Sequence, residues 1–128
     1  MDVSKLPNHH PVAWDTRFEP MALSDMFART TRASPSAPLL HFLGRSYSYS
    51  ELYRDARAFA HSLKARGIAE GDRVGLFLPN VPSYVAAYYG AMMAGAVVVN
   101  FSPLYTVDEL AQQVADSGTS LLVGGQKP

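Results

Sequence analysis

Cysteine is absent from the 128 residues. That excludes a disulfide framework, thiolate metal ligation and a cysteine nucleophile, and it leaves the redox compartment open. Charge is also scarce, at 17% of residues against about 25% in an average globular chain. Eleven basic side chains face eleven acidic ones, so there is no cationic excess of the kind a nucleic-acid backbone requires, and no nucleic-acid partner is expected. Met1 to His10 is polar, contains Pro7, and has no apolar core of a secretory signal, which makes a cytoplasmic location the default expectation. What is abundant is apolar: 48% of the chain is hydrophobic, which excludes disorder for the chain as a whole. The length fits one domain and is too short for an enzyme with separate nucleotide, acceptor and lid domains.

The missing charge is concentrated. Eighteen of the 22 charged residues lie between Asp2 and Arg73, and none occurs in the 34 residues from Val74 to Val107. Ser83 to Phe101 approaches the roughly 20 apolar residues of a membrane span, and a membrane-anchored interaction protein is one reading of it. Its punctuation argues otherwise. Asn80, Pro82 and Ser83 have the character of a helix start and Gly95 that of a helix stop, which leaves a helix too short to span. Ala96 to Phe101 is then a β-branched run, closed by Ser102 and Pro103, with the pattern of a strand buried on both faces. Arg73 to Leu78 is a preceding strand, cut by Pro79 and Asn80.

Residues 1–20 are aperiodic and read as an extended arm, with Trp14 and Phe18 as its expected docking points. Leu23, Met26 and Phe27 begin a short helix that ends near Arg32, and Leu39 to Phe42 with Ser46 to Tyr47 flank Gly44 as a small β-hairpin. Ser48 and Glu51 have the spacing of a capping box. They open a helix whose apolar stripe is Leu52, Ala56, Phe59, Ala60 and Leu63 and whose wet face carries Arg54, Asp55, Arg57, His61 and Lys64, with Gly67 as its stop. Thr106 and Glu109 repeat the capping box for a helix ending at Gly118, and Thr119 to Val123 is a third strand. Helices and strands alternate from Ser48 onward. The expected fold is therefore α/β: a parallel βαβ-type sheet with helices on both faces, preceded by the hairpin and the arm.

Chemistry is hard to find. His9 and His10 sit on the arm without a nearby carboxylate, and His41 and His61 are isolated. Asp15 with Glu19 and Asp108 with Glu109 are carboxylate pairs by spacing only, and Glu109 is better explained as a cap. Gly124, Gly125 and Lys127 lack the spacing, the Ser or Thr and the following helix of a phosphate loop. Tyr84, Tyr88, Tyr89, Met92 and Met93 could line a lipid pocket, but aromatics and methionines at helical spacing read as core. Ligands of open parallel sheets bind beyond the carboxyl ends of the strands. Here those ends are Leu78 to Asn80, Ser102 to Tyr105 and Gly124 to Gly125, loops that could wall a site but carry no charged side chain to catalyse in it.

Several segments together carry a family likeness. Tyr47-Ser48-Tyr49-Ser50-Glu51-Leu52, Gly71-Asp72-Arg73-Val74, Leu78-Pro79-Asn80 and Ala94-Gly95-Ala96-Val97-Val98-Val99-Asn100 resemble the opening region of acyl-adenylate-forming, AMP-binding enzymes. Pro103-Leu104-Tyr105-Thr106, Glu109-Leu110, Gln113 and Asp116-Ser117-Gly118 look most like the long-chain fatty-acid CoA ligase branch. The likeness covers about residues 20 to 124.

The resemblance implies a parent enzyme that joins a carboxylate to the α-phosphate of ATP with Mg²⁺, releases pyrophosphate and passes the acyl group to coenzyme A. The family's Ser/Thr/Gly-rich loop, ribose-binding acid and mobile lysine have no counterpart before Pro128, so no catalytic, cofactor-binding or metal-binding residue is carried over to this chain. Residues 21–128 are expected to be the N-terminal subdomain of a larger AMP-binding domain. Alone it should be inert, with the remainder of the parent as its partner. Self-association through the sheet edge after Val123 and peripheral membrane association fit the same expectation. Two alternatives are a free-standing α/β module for a small apolar ligand and an adenylating enzyme of another branch, an aryl-CoA ligase or a peptide-synthetase adenylation domain.

Overall fold

The computed structural model describes residues 11–125. Chain order runs α1 (Leu23–Ala33), β1 (Pro38–Phe42), β2 (Arg45–Ser48), α2 (Tyr49–Ala65), β3 (Arg73–Phe77), α3 (Pro82–Met93), β4 (Val97–Asn100), α4 (Val107–Ser117) and β5 (Leu121–Gly124). The α/β expectation holds: β1 and β2 form an antiparallel hairpin, and β3, β4 and β5 form a parallel sheet in the order β4-β3-β5, flanked by helices. Right-handed crossovers in that order set α3 on one face of the sheet and α4 on the other.

The charge-free stretch is divided as its punctuation suggests. Pro82 occupies the first turn of α3, and Gly95, with φ of +81°, ends it after 12 helical residues. Among the described residues no helix is long and apolar enough to cross a membrane. The helix start differs in detail, because Val81 is the N-cap and no side chain caps it.

Side chains alternate across the central strand. Val74 and Leu76 are fully buried against Ala60 and Leu63 of α2 and Ala87 and Ala91 of α3. Gly75 points to the other face, where a Cβ would run into the ring of Phe101 and would lie 3.0 Å from Thr119 and 3.1 Å from Leu122. A second cluster joins Phe27 of α1 to Leu52 and Ala56 of α2, with Tyr49, Tyr53 and Tyr89 around it. Between the two clusters α2 and α3 approach closely at Gly90, where a Cβ would come within 2.6 Å of the Ala56 carbonyl oxygen.

Three expectations need correction. β4 is not buried on both faces: it is an edge strand, and Val97 is 49% exposed. Trp14 and Phe18 are 74% and 79% exposed, so neither docks the arm. The box at Ser48 is half formed. Its hydroxyl accepts from the Glu51 amide at 3.2 Å, but the Glu51 carboxylate pairs instead with Arg45, which lies over the Tyr47 ring. Hairpin pairing brings Arg45 within reach of that carboxylate, and a charge-assisted partner outcompetes a backbone amide. At Thr106 the box is complete, with the hydroxyl accepting from the Glu109 amide at 3.2 Å and the Glu109 carboxylate accepting from the Thr106 amide at 2.9 Å.

Candidate functional site

Parallel pairing puts the carboxyl ends of β3, β4 and β5 along one rim, so the loops singled out in the sequence do come together. Pro79, Asn80, Leu104, Gly124 and Gly125 are exposed there. Two features of the rim have no sequence precedent. The Tyr84 hydroxyl, on the first turn of α3, donates to Asn100 Oδ1 at 2.5 Å, tying that helix to the end of β4. The hairpin also packs beside the start of α3, leaving an open cleft of about 200 Å³ lined by Leu40, His41, Phe42, Asn80, Pro82 and Val85. Asn100, as a polar end to an apolar run, was a usable signal for the first feature. Nothing local could have brought His41 to the second.

The candidate groups fall out as follows. His41 Nδ1 lies 2.7 Å from Ser46 Oγ across the hairpin, an ordinary cross-strand pair. Asp15, Glu19 and Asp108 are exposed, and Glu109 is the helix cap already described. His9, His10 and Lys127 lie outside the described residues. Among the described residues no group of three or more His, Cys, Asp or Glu side chains could hold a metal ion.

The tyrosine and methionine stretch packs partly buried against the core, except Met92, which joins neither cluster. Tyr84, Tyr88 and Met93 pack against the sheet-side cluster, and Met93 also joins Tyr89 against the Phe27 cluster. The Tyr89 ring lies 4.3 Å from that of Phe27. Burial, and then the proximity of Tyr88, raise the pKa of both Tyr84 and Tyr89 above the usual 10.0. Raised phenols stay neutral and cannot serve as bases near neutral pH. The rim can thus bound a ligand and orient it through the Asn80, Asn100 and Ser102 side chains. Among the described residues the strand-end loops carry no carboxylate, imidazole or cation to move a proton or offset phosphate charge, and the His41 imidazole lies in the adjoining cleft.

A family model described as "AMP-binding enzyme" matches residues 27–128. A long-chain-fatty-acid–CoA ligase of Escherichia coli O6:H1 is 37% identical over 120 residues, a match that covers 91% of this chain and 21% of the ligase. A feruloyl-CoA synthase of an Amycolatopsis species is 38% identical over 95 residues, covering 74% of this chain and 19% of the synthase. Among solved structures, that of VinN superposes with a TM-score of 0.80 at 28% identity, over 88% of this chain and 30% of VinN. The chain therefore spans about a fifth of the length of the curated relatives it matches. A family match over most of the chain, on a βαβ scaffold with the expected element order, settles the affiliation: the chain belongs to the AMP-binding enzyme family.

Proposed function

We propose that residues 21–128 form the N-terminal subdomain of a fatty-acid CoA ligase, which adenylates a carboxylate with ATP and then transfers the acyl group to coenzyme A. The 37% identity to a long-chain-fatty-acid–CoA ligase over 91% of the chain carries this reading. In it, the strand-end rim walls part of the acyl-adenylate site and the Tyr84 to Asn100 hydrogen bond stiffens that wall. ATP, Mg²⁺ and coenzyme A belong to the parent enzyme. The rim residues do not fit them, because the strand-end loops are uncharged and no group of three or more carboxylate or imidazole side chains among the described residues could hold a metal ion. The chain by itself is inert in this reading, and no catalytic step is assigned to its residues.

Exposed apolar side chains support a role as part of a larger body. Leu104 and Val107 are 89% and 84% exposed, Leu122 is 42% exposed, and β5 has one unpaired edge among the described residues. Such a surface is what the remainder of a parent chain would cover, and uncovered it favours self-association. The 38% identity to a feruloyl-CoA synthase favours a second reading, in which the acid is aromatic.

Acid-dependent ATP–pyrophosphate exchange separates these readings when it is measured on the 128-residue chain and on the full open reading frame that contains it. Exchange driven by palmitate in the longer protein and none in the chain alone is the expected result. Exchange with ferulate but not palmitate would replace the fatty-acid reading by the aromatic one, and exchange by the chain alone would overturn inertness. Thermal stabilisation of the chain by palmitate without ATP dependence would instead favour a free-standing apolar-ligand module.

A further inference from the structure

The outer face of α2 carries a line of basic side chains that the rim does not use. At about 100° per residue, Arg54, Arg57, His61 and Lys64 fall within an arc of about 80° and extend over about 15 Å of helix. All four are exposed. Ser50 lies on the same arc, whereas the acids of α2, Glu51 and Asp55, lie outside it. Glu51 is taken by Arg45, and Asp55 meets only Arg54, at 3.3 Å. Arg57, His61 and Lys64 have no hydrogen-bond or ion-pair partner among the described residues.

The line borders open space. One cleft of about 250 Å³ lies between the end of α1 and α2, lined by Thr31, Ser50, Tyr53, Arg54, Arg57 and His61. A second, of about 220 Å³, continues along α2 past Tyr53, Arg57 and His61 to Lys64 and Met93. Tyr53, Arg57 and His61 line both, so the two clefts adjoin as a groove along α2. Its lining offers the Tyr53 ring, the Ser50 hydroxyl, two guanidinium forks, which match phosphate oxygens two at a time, and an ammonium group.

We propose that this groove is a phosphate-binding site, in which Arg54, Arg57, His61 and Lys64 receive a phosphate-bearing anion. It is separate from the strand-end rim and independent of the acid that the parent activates. Free phosphoryl compounds and lipid headgroups share this chemistry, so two probes are used on the chain. One is inorganic pyrophosphate, titrated by isothermal calorimetry at low ionic strength. The other is phosphatidylcholine vesicles with and without phosphatidylglycerol, followed by co-sedimentation.

Saturable binding of pyrophosphate identifies a free anion, and retention only on phosphatidylglycerol vesicles identifies a headgroup. In either case the double substitution Arg57→Gln with Lys64→Gln should weaken binding at least tenfold. Arg66→Gln removes one charge just past the end of α2, outside the groove, and should change binding less than twofold. Circular dichroism should show both variants folded, because all three side chains are exposed. Binding of neither probe overturns the proposal, as does equal loss in Arg66→Gln and the double variant, which would mark diffuse attraction instead of a site.

Discussion

Replacing Gly90 by alanine sets two known effects against each other. Alanine is the better helix former by about 1 kcal/mol, so a glycine inside α3 that served no purpose would be improved by the change. The added Cβ, however, would sit 2.6 Å from the Ala56 carbonyl oxygen, 2.8 Å from Phe59 Cδ1 and 3.1 Å from Phe59 Cβ. Ordinary contact begins at about 3.4 Å, so α2 and α3 must separate by about 0.8 Å. The side chains that would part are Ala56, Ala60, Ala87 and Ala91, all buried and too short to refill the gap. A gap of that size forfeits about a quarter to a half of each dispersion contact, and overpacking of this kind costs about 1–3 kcal/mol. We expect net destabilisation of about 1–2 kcal/mol after the propensity gain, read as a lower urea midpoint at unchanged slope. Adding Phe59→Leu should recover only part of the loss, since the tightest neighbour is backbone and cannot turn aside. A Gly90→Ala chain as stable as the parent sequence, or more so, would refute the close-packing argument.

Three further outcomes follow from local geometry. Leu43 adopts φ of +48° in the hairpin turn and is 89% exposed, so Leu43→Asn should raise stability by about 0.5–1 kcal/mol by relieving left-handed strain without losing contacts; an unchanged or lower urea midpoint would refute this. Thr106→Ala should remove about 1 kcal/mol of capping, and because α4 buries no residue the effect should show as faster amide exchange confined to Val107–Ser117; uniform acceleration across the chain would contradict it. Burial raises the Tyr84 and Tyr89 phenols above 10.0, with Tyr88 adding to the shift, so the folded chain resists their ionisation. Their contribution is intact below the unfolded value and is lost as pH rises through the folded ones. Urea midpoints should therefore fall above pH 10, and less steeply in Tyr89→Phe; an identical fall in that variant would remove Tyr89 as a cause.

Helix ends were legible in the sequence because they depend on one or two residues. Gly95 and Gly118 take up the positive φ that ends their helices, at +81° and +66°, and Thr106 with Glu109 closes its box, with no ion-pair partner for the carboxylate among the described residues. Ser48 with Glu51 has identical spacing and fails halfway, since the competitor Arg45 arrives through hairpin pairing that the spacing does not encode. Strand order is likewise invisible to periodicity. Ala96 to Phe101 reads as doubly buried, yet the crossover to β5 returns past β3 and leaves β4 at an edge. The close approaches at Gly75 and Gly90 have no local signature, and only the fold brings Phe101 and Ala56 against them. The candidate site divides the same way: alternation alone predicts which loops share the rim, while the Tyr84 to Asn100 bond and the hairpin beside Pro82 are tertiary.

The charge gap from Val74 to Val107 therefore has two origins. Its first part is uncharged because it is core: Val74, Leu76, Leu78, Ala86, Ala87 and Ala91 are buried between sheet and helices, where an ionised group would need a partner that the site lacks. Its last part is uncharged although it is exposed, since Leu104 and Val107 are 89% and 84% accessible. Burial within the described residues cannot account for that second half. An apolar rim of this kind is the mark of a surface meant to be covered, and the rim lies at the strand ends where a site in this architecture would form. The absence of charge is thus informative twice, once about the fold and once about the surface that the proposed parent enzyme would build upon.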